Sequence, residues 1–263
     1  MDQRFATRPT AIVTGALRGI GRGCAIALAN SGFNVLLNDM AIDDYGASSQ
    51  ELVAELEQSG AESVLYSGDV TDLGQHAKLV ETARAKWGRI DCLVNNAGVG
   101  VLQRGDLLDV TSDSFDRCIR VNTKAVFFLS QAVARYMLQQ GTIAGQHRSI
   151  INITSSNAVA VSIDRGEYCV SKCASSMTTR LFGVRLAAED IGVYEVRPGI
   201  IDTEMTRPVK DKYDAMIAES VPARRWGTLA DVAATVRLMA EGRLIYTVGQ
   251  AVTVDGGFTI PKF

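Results

Sequence analysis

Several absences narrow this chain of 263 residues before any motif is read. It lacks a charge excess: 27 Lys and Arg against 29 Asp and Glu leave a formal net charge of -2, so no basic field exists to hold nucleic acid or anionic lipid. It lacks a cysteine framework. Cys24, Cys92, Cys118, Cys169 and Cys173 are odd in number and contain no CxxC pair, which predicts free thiols and no disulfide scaffold. Cys169 and Cys173 lie four apart without a third ligand nearby, so no metal is expected. Histidine is scarce. His76 and His147 are the only two, both in polar segments that read as surface, which leaves the usual general base out of reach. No uncharged run is long enough to span a bilayer, and Met1 to Pro9 lacks the apolar centre of a signal peptide. The expectation is a cytoplasmic protein that binds no nucleic acid and no membrane, whose partners are a small-molecule substrate and like subunits. There is no internal repeat or low-complexity segment.

What is present is ordinary globular material, 47% hydrophobic and 21% charged, at a length that buries one sizeable core. A single domain over residues 1–263 is expected. Short apolar runs recur at Ala11 to Val13, Val35 to Leu37, Val64 to Tyr66, Cys92 to Val94, Ile150 to Ile153, Val193 to Val196 and Ala251 to Val254. Most are continuous rather than alternating, which burial on both faces of a parallel sheet requires. Helical patterns lie between them, such as Leu73, Ala77, Val80, Ala83 and Trp87 closed by Gly88, and a last helix capped at Thr228 to Asp231. Gly141 to Arg148 reads as a surface loop. The alternation predicts an α/β fold, a doubly wound Rossmann fold on a seven-stranded parallel sheet, with its ligand crevice at the carboxyl ends of the strands.

The first run leads into Thr14-Gly15-Ala16-Leu17-Arg18-Gly19-Ile20-Gly21 and then a helical stretch. Glycines let the backbone turn and let a ligand approach closely, while the helix behind points unpaired N–H groups into the turn. Such a turn suits a pyrophosphate, although three glycines also serve plain strand-to-helix turns. The second run ends at Asp39, 24 residues after Gly15, where a carboxylate can accept both ribose hydroxyls and repel a 2′-phosphate. As a turn or cap aspartate it would do neither. Asp69 after the third run and Asn95 to Gly98 after the fourth put polar groups at the same sheet edge.

After the fifth run come Ser155 and, 13 residues on, Tyr168, with Lys172 one helical turn beyond on the same face. A tyrosine serves as a base only if its pKa of about 10 falls towards neutrality, and three units cost roughly 4 kcal/mol. An ammonium about 4 Å away supplies a term of that order. A solvated tyrosine and lysine would show the same spacing.

Together these residues resemble the short-chain dehydrogenase/reductase family in its compact one-domain form, of the 3-oxoacyl-carrier-protein-reductase kind, over nearly the whole chain. Thr14 to Gly21 resembles the family's TGxxxGxG turn, Asn95 to Gly98 its NNAG segment, Asn122 its helix asparagine, Ser155, Tyr168 and Lys172 its active site, and Arg197-Pro198-Gly199 its segment after the sixth strand. The resemblance implies that Tyr168 is the acid/base and that Lys172 lowers its pKa and holds the nicotinamide ribose. Ser155 would bond the substrate oxygen, Asn122 would anchor a relay water, and Thr203 would bond the carboxamide. Hydride would pass between nicotinamide C4 and a carbonyl carbon. The implied cofactor residues are Gly15, Arg18, Gly19, Ile20, Gly21, Asp39, Asp69, Val70, Asn95, Ala97, Gly98, Tyr168, Lys172, Pro198, Gly199, Ile201 and Thr203. Asp39 favours NAD(H), whereas Arg18 stands where members using NADP(H) often carry a base.

Three segments should border the substrate: Val99 to Arg104, Asn157 to Glu167, and Glu204 to Arg225 as part of a lid over about 203–226. Arg165 could reach an anionic or hydroxyl-rich substrate or be a surface charge. The substrate readings are a 3-oxoacyl thioester or a polyol or sugar. The reading of another class is a non-catalytic nucleotide-binding regulator or scaffold. A helix beginning near Thr123 carries Ala125, Phe128, Leu129, Ala132, Val133 and Tyr136 on one face and Val126, Phe127, Ala134 and Met137 beyond it, too broad for one covered stripe. By the resemblance, it and the Tyr168 helix pair with their copies in a homodimer or homotetramer.

Overall fold

The computed structural model describes residues 8–40, 42, 46–143 and 145–261. Residues 1–7, the start of the Met1 to Pro9 stretch expected to carry no signal peptide, lie outside them. Seven strands form one parallel sheet in the order β3-β2-β1-β4-β5-β6-β7. They are β1 (Thr10–Thr14), β2 (Asn34–Asp39), β3 (Ser63–Ser67), β4 (Cys92–Asn95), β5 (Arg148–Ile153), β6 (Ile191–Pro198) and β7 (Ala251–Val254). Each expected run holds a strand, usually extended by a residue or two of polar sequence at its ends. Arg148 thus opens β5 rather than closing a loop, its buried guanidinium donating to Met137 O.

Both faces of the central strands are apolar because each face carries its own core. Along β1, Ala11 and Val13 pack with Leu28 of α1 (Gly19–Asn30), Leu52 of α2 (Gly46–Gln58) and Val232 of α8 (Leu229–Ala240). Ile12 between them faces Leu79 of α3 (His76–Trp87) and Leu129 of α5 (Val126–Gln140). Strand alternation therefore sends neighbours into opposite cores, both dry. Edge strands β3 and β7 are only partly covered. Helix α3 ends where Gly88 N donates to Arg84 O, and Leu73 falls in a separate 3₁₀ turn ahead of it. Helix α8 has the expected capping box between Thr228 and Asp231.

The helix expected near Thr123 begins earlier. Helix α4 (Ser112–Ile119) runs through a π-helical turn, Arg120–Ala125, directly into α5. Its buried stripe is Val126, Leu129, Ser130, Val133, Ala134 and Met137, while Phe128 stays exposed. Helix α6 (Gly166–Leu186) follows β5 and likewise leaves Val170, Met177, Leu181 and Val184 in solvent. Helix α7 (Lys210–Ser220) lies within the segment expected as a lid. Among the described residues no helix is long and apolar enough to cross a membrane.

Candidate active site

The carboxyl ends of β1, β2 and β4 open into a cleft of about 940 Å³. Its floor is the β1–α1 turn. Gly15 takes φ +60, where a side chain is strained, and a Cβ on Gly21 would run into Gly15 O. The turn is held to β4 by Asn96, whose Nδ2 donates to Thr14 O at 2.9 Å and Gly15 O at 3.0 Å. Helix α1 starts at Arg18 without a side-chain cap, so its first N–H groups are left for a ligand. At the tip of β2 the Asp39 carboxylate accepts from Met40 N at 2.9 Å and borders the cleft. A glycine cradle that a Cβ would fill, an uncapped helix start and a carboxylate at the second strand fit a dinucleotide.

Of the residues expected at a cofactor, Gly15, Arg18, Gly19, Ile20, Asp39, Asp69, Val70, Ala97, Gly98, Tyr168, Lys172 and Thr203 line this cleft. The others stand behind it. Asn95 is buried, with its amide donating to Ser130 Oγ and Asn152 Oδ1; the cleft residue of the pair is Asn96, because neighbours on a strand face opposite ways. Gly21 supports the turn from below. Pro198 and Ile201 are buried, and Gly199 packs on Asp255, so this stretch shapes the wall without lining it. Arg18 forms an ion pair across the cleft with Glu204 at 3.6 Å, both side chains largely solvated.

Ser155, at the end of β5, and Tyr168 and Lys172, on α6, converge at the inner end. Ser155 lies close enough to Tyr168 for its hydroxyl to act on the phenol. Lys172 Nζ donates to Ile153 O at 3.1 Å and lies 5.8 Å from the centre of the Tyr168 ring. Here the electrostatic expectation is corrected. Burial raises the Tyr168 phenol above its ordinary value, and the Ser155 hydrogen bond and the Arg165 charge only partly offset it. Burial also pushes Lys172 down to about 8, against the opposing pull of Cys118 and Glu195. The ammonium donates to a backbone carbonyl, and burial is the largest influence on the phenol.

Asn122 is fully buried in the π turn. Its Oδ1 accepts from Val99 N at 2.9 Å, and its Nδ2 donates to Val99 O and to Ser171 Oγ, so both amide hydrogens are engaged. The two histidines also differ from expectation. His76 is 3% exposed with Nε2 on Val70 O, and His147 is partly buried beside the Tyr194 hydroxyl. Neither is among the residues lining the cleft. Among the described residues no group of three or more His, Cys, Asp or Glu could hold a metal.

The three segments expected around the substrate are tied by a feature the sequence did not announce. Asp164 accepts from Ser162, from Arg104 Nη1 at 3.0 Å and from Lys212 Nζ at 2.9 Å, and Arg104 also donates to the Tyr213 hydroxyl. Burial alone would raise the Asp164 carboxyl, but these three donors hold it well below the usual carboxylate range. Tyr213 packs edge-on against Trp226. The partners lie 48 to 109 residues apart, and only charge composition hinted at them. Arg165 stacks over the Tyr168 ring with its Cζ 5.5 Å from the centroid and its Nε on Ser162 Oγ.

Comparison with known proteins agrees with this geometry. A family model described as enoyl-(acyl carrier protein) reductase matches residues 15–259. The 2-dehydro-3-deoxy-D-gluconate 5-dehydrogenase of Dickeya dadantii is 32% identical over 250 residues, 94% of each chain. A solved 3-oxoacyl-[acyl-carrier protein] reductase from Brucella melitensis in complex with NAD is similar at 40% identity and TM-score 0.92, over 97% of this chain and 99% of that one. A gluconate 5-dehydrogenase from Burkholderia cenocepacia in complex with NADP and tartrate is similar at 29% identity and TM-score 0.86, over 97% and 96%. With a doubly wound sheet, a glycine cradle and a serine, tyrosine and lysine at its inner end, the chain belongs to the short-chain dehydrogenase/reductase family of NAD(P)-dependent oxidoreductases acting on alcohol and keto groups.

Proposed function

We propose that this enzyme interconverts a 3-oxoacyl thioester and its secondary alcohol, with NAD(H) favoured over NADP(H). The observation that carries the reaction is that Tyr168 and Lys172 line the same cleft as Asp39, with Ser155 buried beside Tyr168. The dinucleotide, when bound, supplies or accepts the hydride. It would rest on the Gly15 to Gly21 cradle, with Asp39 towards the adenosine ribose, Lys172 towards the nicotinamide ribose and Thr203 towards the carboxamide. Ser155 Oγ holds the substrate oxygen, and Tyr168 Oη gives it a proton as it gains negative charge, or takes one in the reverse direction. Asn122 holds Val99 and Ser171 in place beside them.

Exposed apolar side chains near the mouth support the acyl reading: Leu102 and Met205 line the cleft, and Val161 and Ile163 project from the segment before Tyr168. One observation favours a sugar acid instead. The Arg165 guanidinium lies beside Tyr168 and can donate to a carboxylate in bidentate fashion. The segment over 203–226 is read as a lid. Exposed Phe128, Met177, Leu181 and Val184 support pairing of α5 and α6 with their copies in a homodimer or homotetramer. A cytoplasmic location belongs to the same proposal.

A panel of 3-oxoacyl thioesters, sugar acids and simple ketones with both cofactors, followed at the absorbance of the reduced nicotinamide, tests this. Highest kcat/KM on a thioester with NADH supports the proposal, and highest kcat/KM on a sugar acid, lost in Arg165→Ala through KM, replaces it. Cofactor binding without turnover on any member supports a regulator.

A further inference from the structure

Strand β6 carries a charge where the sheet calls for an apolar residue. Ile191 and Val193 face the α3–α5 side of the sheet and belong to its core. Two residues on, on the same face, stands Glu195, 1% exposed. Its carboxylate is fully engaged. Oε1 accepts from Thr154 Oγ1 at 2.6 Å and Arg197 Nε at 2.7 Å; Oε2 accepts from Ser176 Oγ at 2.8 Å and Arg197 Nη2 at 3.1 Å. Arg197 Nη2 also donates to Ser176 Oγ at 2.9 Å.

Stability is a poor reason to put an ion pair there. Desolvating two charges costs several kcal/mol each, and a well-packed apolar pair in the same space is often as stable or more so. The position of the partners gives a better reason. Thr154 stands between Ile153, whose carbonyl receives Lys172 Nζ, and Ser155. Ser176 lies one helical turn beyond Lys172 and two beyond Tyr168 on α6. One carboxylate therefore joins the end of β5, which carries Ser155, to the helix that carries Tyr168 and Lys172. Two further direct bonds join these elements, Lys172 Nζ to Ile153 O and Asn152 Nδ2 to Thr179 Oγ1, but the carboxylate is the tie next to Ser155, and displacements near 1 Å are enough to impair a reacting geometry.

We propose that Glu195 is a positioning residue that staples β5 to α6 through Thr154 and Ser176, and so sets the mutual placement of Ser155, Tyr168 and Lys172. The inference rests on these three being the reacting set. The ionisable groups facing Lys172 are Tyr168 on its own helix, Cys118 on α4 and Glu195 on β6, with Arg197 behind Glu195. Burial keeps the Cys118 thiol protonated. Glu195 is thus the anion on this side of Lys172.

Glu195→Gln tests the staple, because the amide keeps the shape and removes the charge. The expected result is a kcat lowered on the order of tenfold to a hundredfold, with substrate KM and cofactor Kd by calorimetry within about twofold. The alkaline limb of the pH profile should move to lower pH, since losing the anion makes the Lys172 ammonium easier to deprotonate. A lowered melting temperature with unchanged kcat and unchanged pH profile would show a merely structural role and overturns the proposal. If Glu195→Gln does not fold, Ser176→Ala carries the test: a severalfold lower kcat at unchanged cofactor Kd supports the staple, and an unchanged kcat refutes it. Tyr168→Phe in the same series separates the two possible failures. Turnover that survives it refutes the reacting set itself, whereas its loss beside an unaffected Glu195→Gln refutes only the staple.

Discussion

The cofactor end and the substrate end of the cleft are built by different physics. The cofactor end is local. A buried strand, a turn in which Gly21 sits against Gly15 O, and a helix start without a side-chain cap create it within the first 39 residues, braced from a distance by Asn96 and Ala97. The edge proposed for the substrate is assembled from three remote segments, drawn together at Asp164 by Arg104 and Lys212 and at Tyr213 by Arg104 and Trp226. Local backbone constraint gives a rigid cradle. Partly solvated ion pairs hold the edge less firmly, because each is worth little in water and is easily exchanged.

That contrast can be broken first at the cradle. Gly21→Ala puts a methyl where Gly15 O lies, so the turn must shift away from its ligand geometry. Affinity for either cofactor should fall on the order of a hundredfold, with the fold retained. Calorimetric titration checks it, and affinity within threefold of wild type would show that the cradle is not the binding surface.

A smaller effect separates the inner end from the rest. Burial holds Lys172 at about 8, below its ordinary value, so its ammonium is present below that pH and lost above it. Affinity for the cofactor should therefore weaken about tenfold as pH rises from 7 to 9.5, the size of one charge-assisted hydrogen bond. In Lys172→Met this dependence should vanish. A wild-type affinity flat across the range would place the ammonium away from the ribose.

The smallest effect belongs to the outer edge. Asp164→Ala removes the shared acceptor of Arg104 and Lys212. The carboxyl sits below its ordinary range, so these ties are present above the usual carboxylate pKa and persist well into acid before protonation breaks them. Limited proteolysis within 204–225 should accelerate about twofold to fivefold, with little change in melting temperature. Unchanged cleavage would show that the Asp164 ion pairs do not hold the segment.

The same contrast explains what could be read beforehand. Strands such as Ala251–Val254 and the Thr228 cap followed from periodicity and short-range chemistry. So did the pairing of Tyr168 with Lys172 on one helix. Four features did not follow. The π turn at Arg120–Ala125 has no periodic signature, yet it places Asn122 against Val99. The exchange of roles between Asn95 and Asn96 depends on which way the end of β4 faces. His76, in a polar stretch, is buried because Val70 O gives its ring a partner. The phenol of Tyr168 rises where proximity to a lysine suggested a fall, because one-dimensional spacing does not convey burial or the competing carbonyl of Ile153.

The proton carried by Tyr168 Oη is the point on which the account turns. Tyr168→Phe keeps the ring under Arg165 and above Lys172 and deletes only the hydroxyl. Turnover of the best panel substrate, measured alongside cofactor Kd on the same preparation, should fall on the order of a hundredfold to ten-thousandfold, with Kd unchanged within about twofold. A Phe variant that turns over at the wild-type rate, with the same cofactor affinity, would contradict the assignment of Tyr168 as the acid and base.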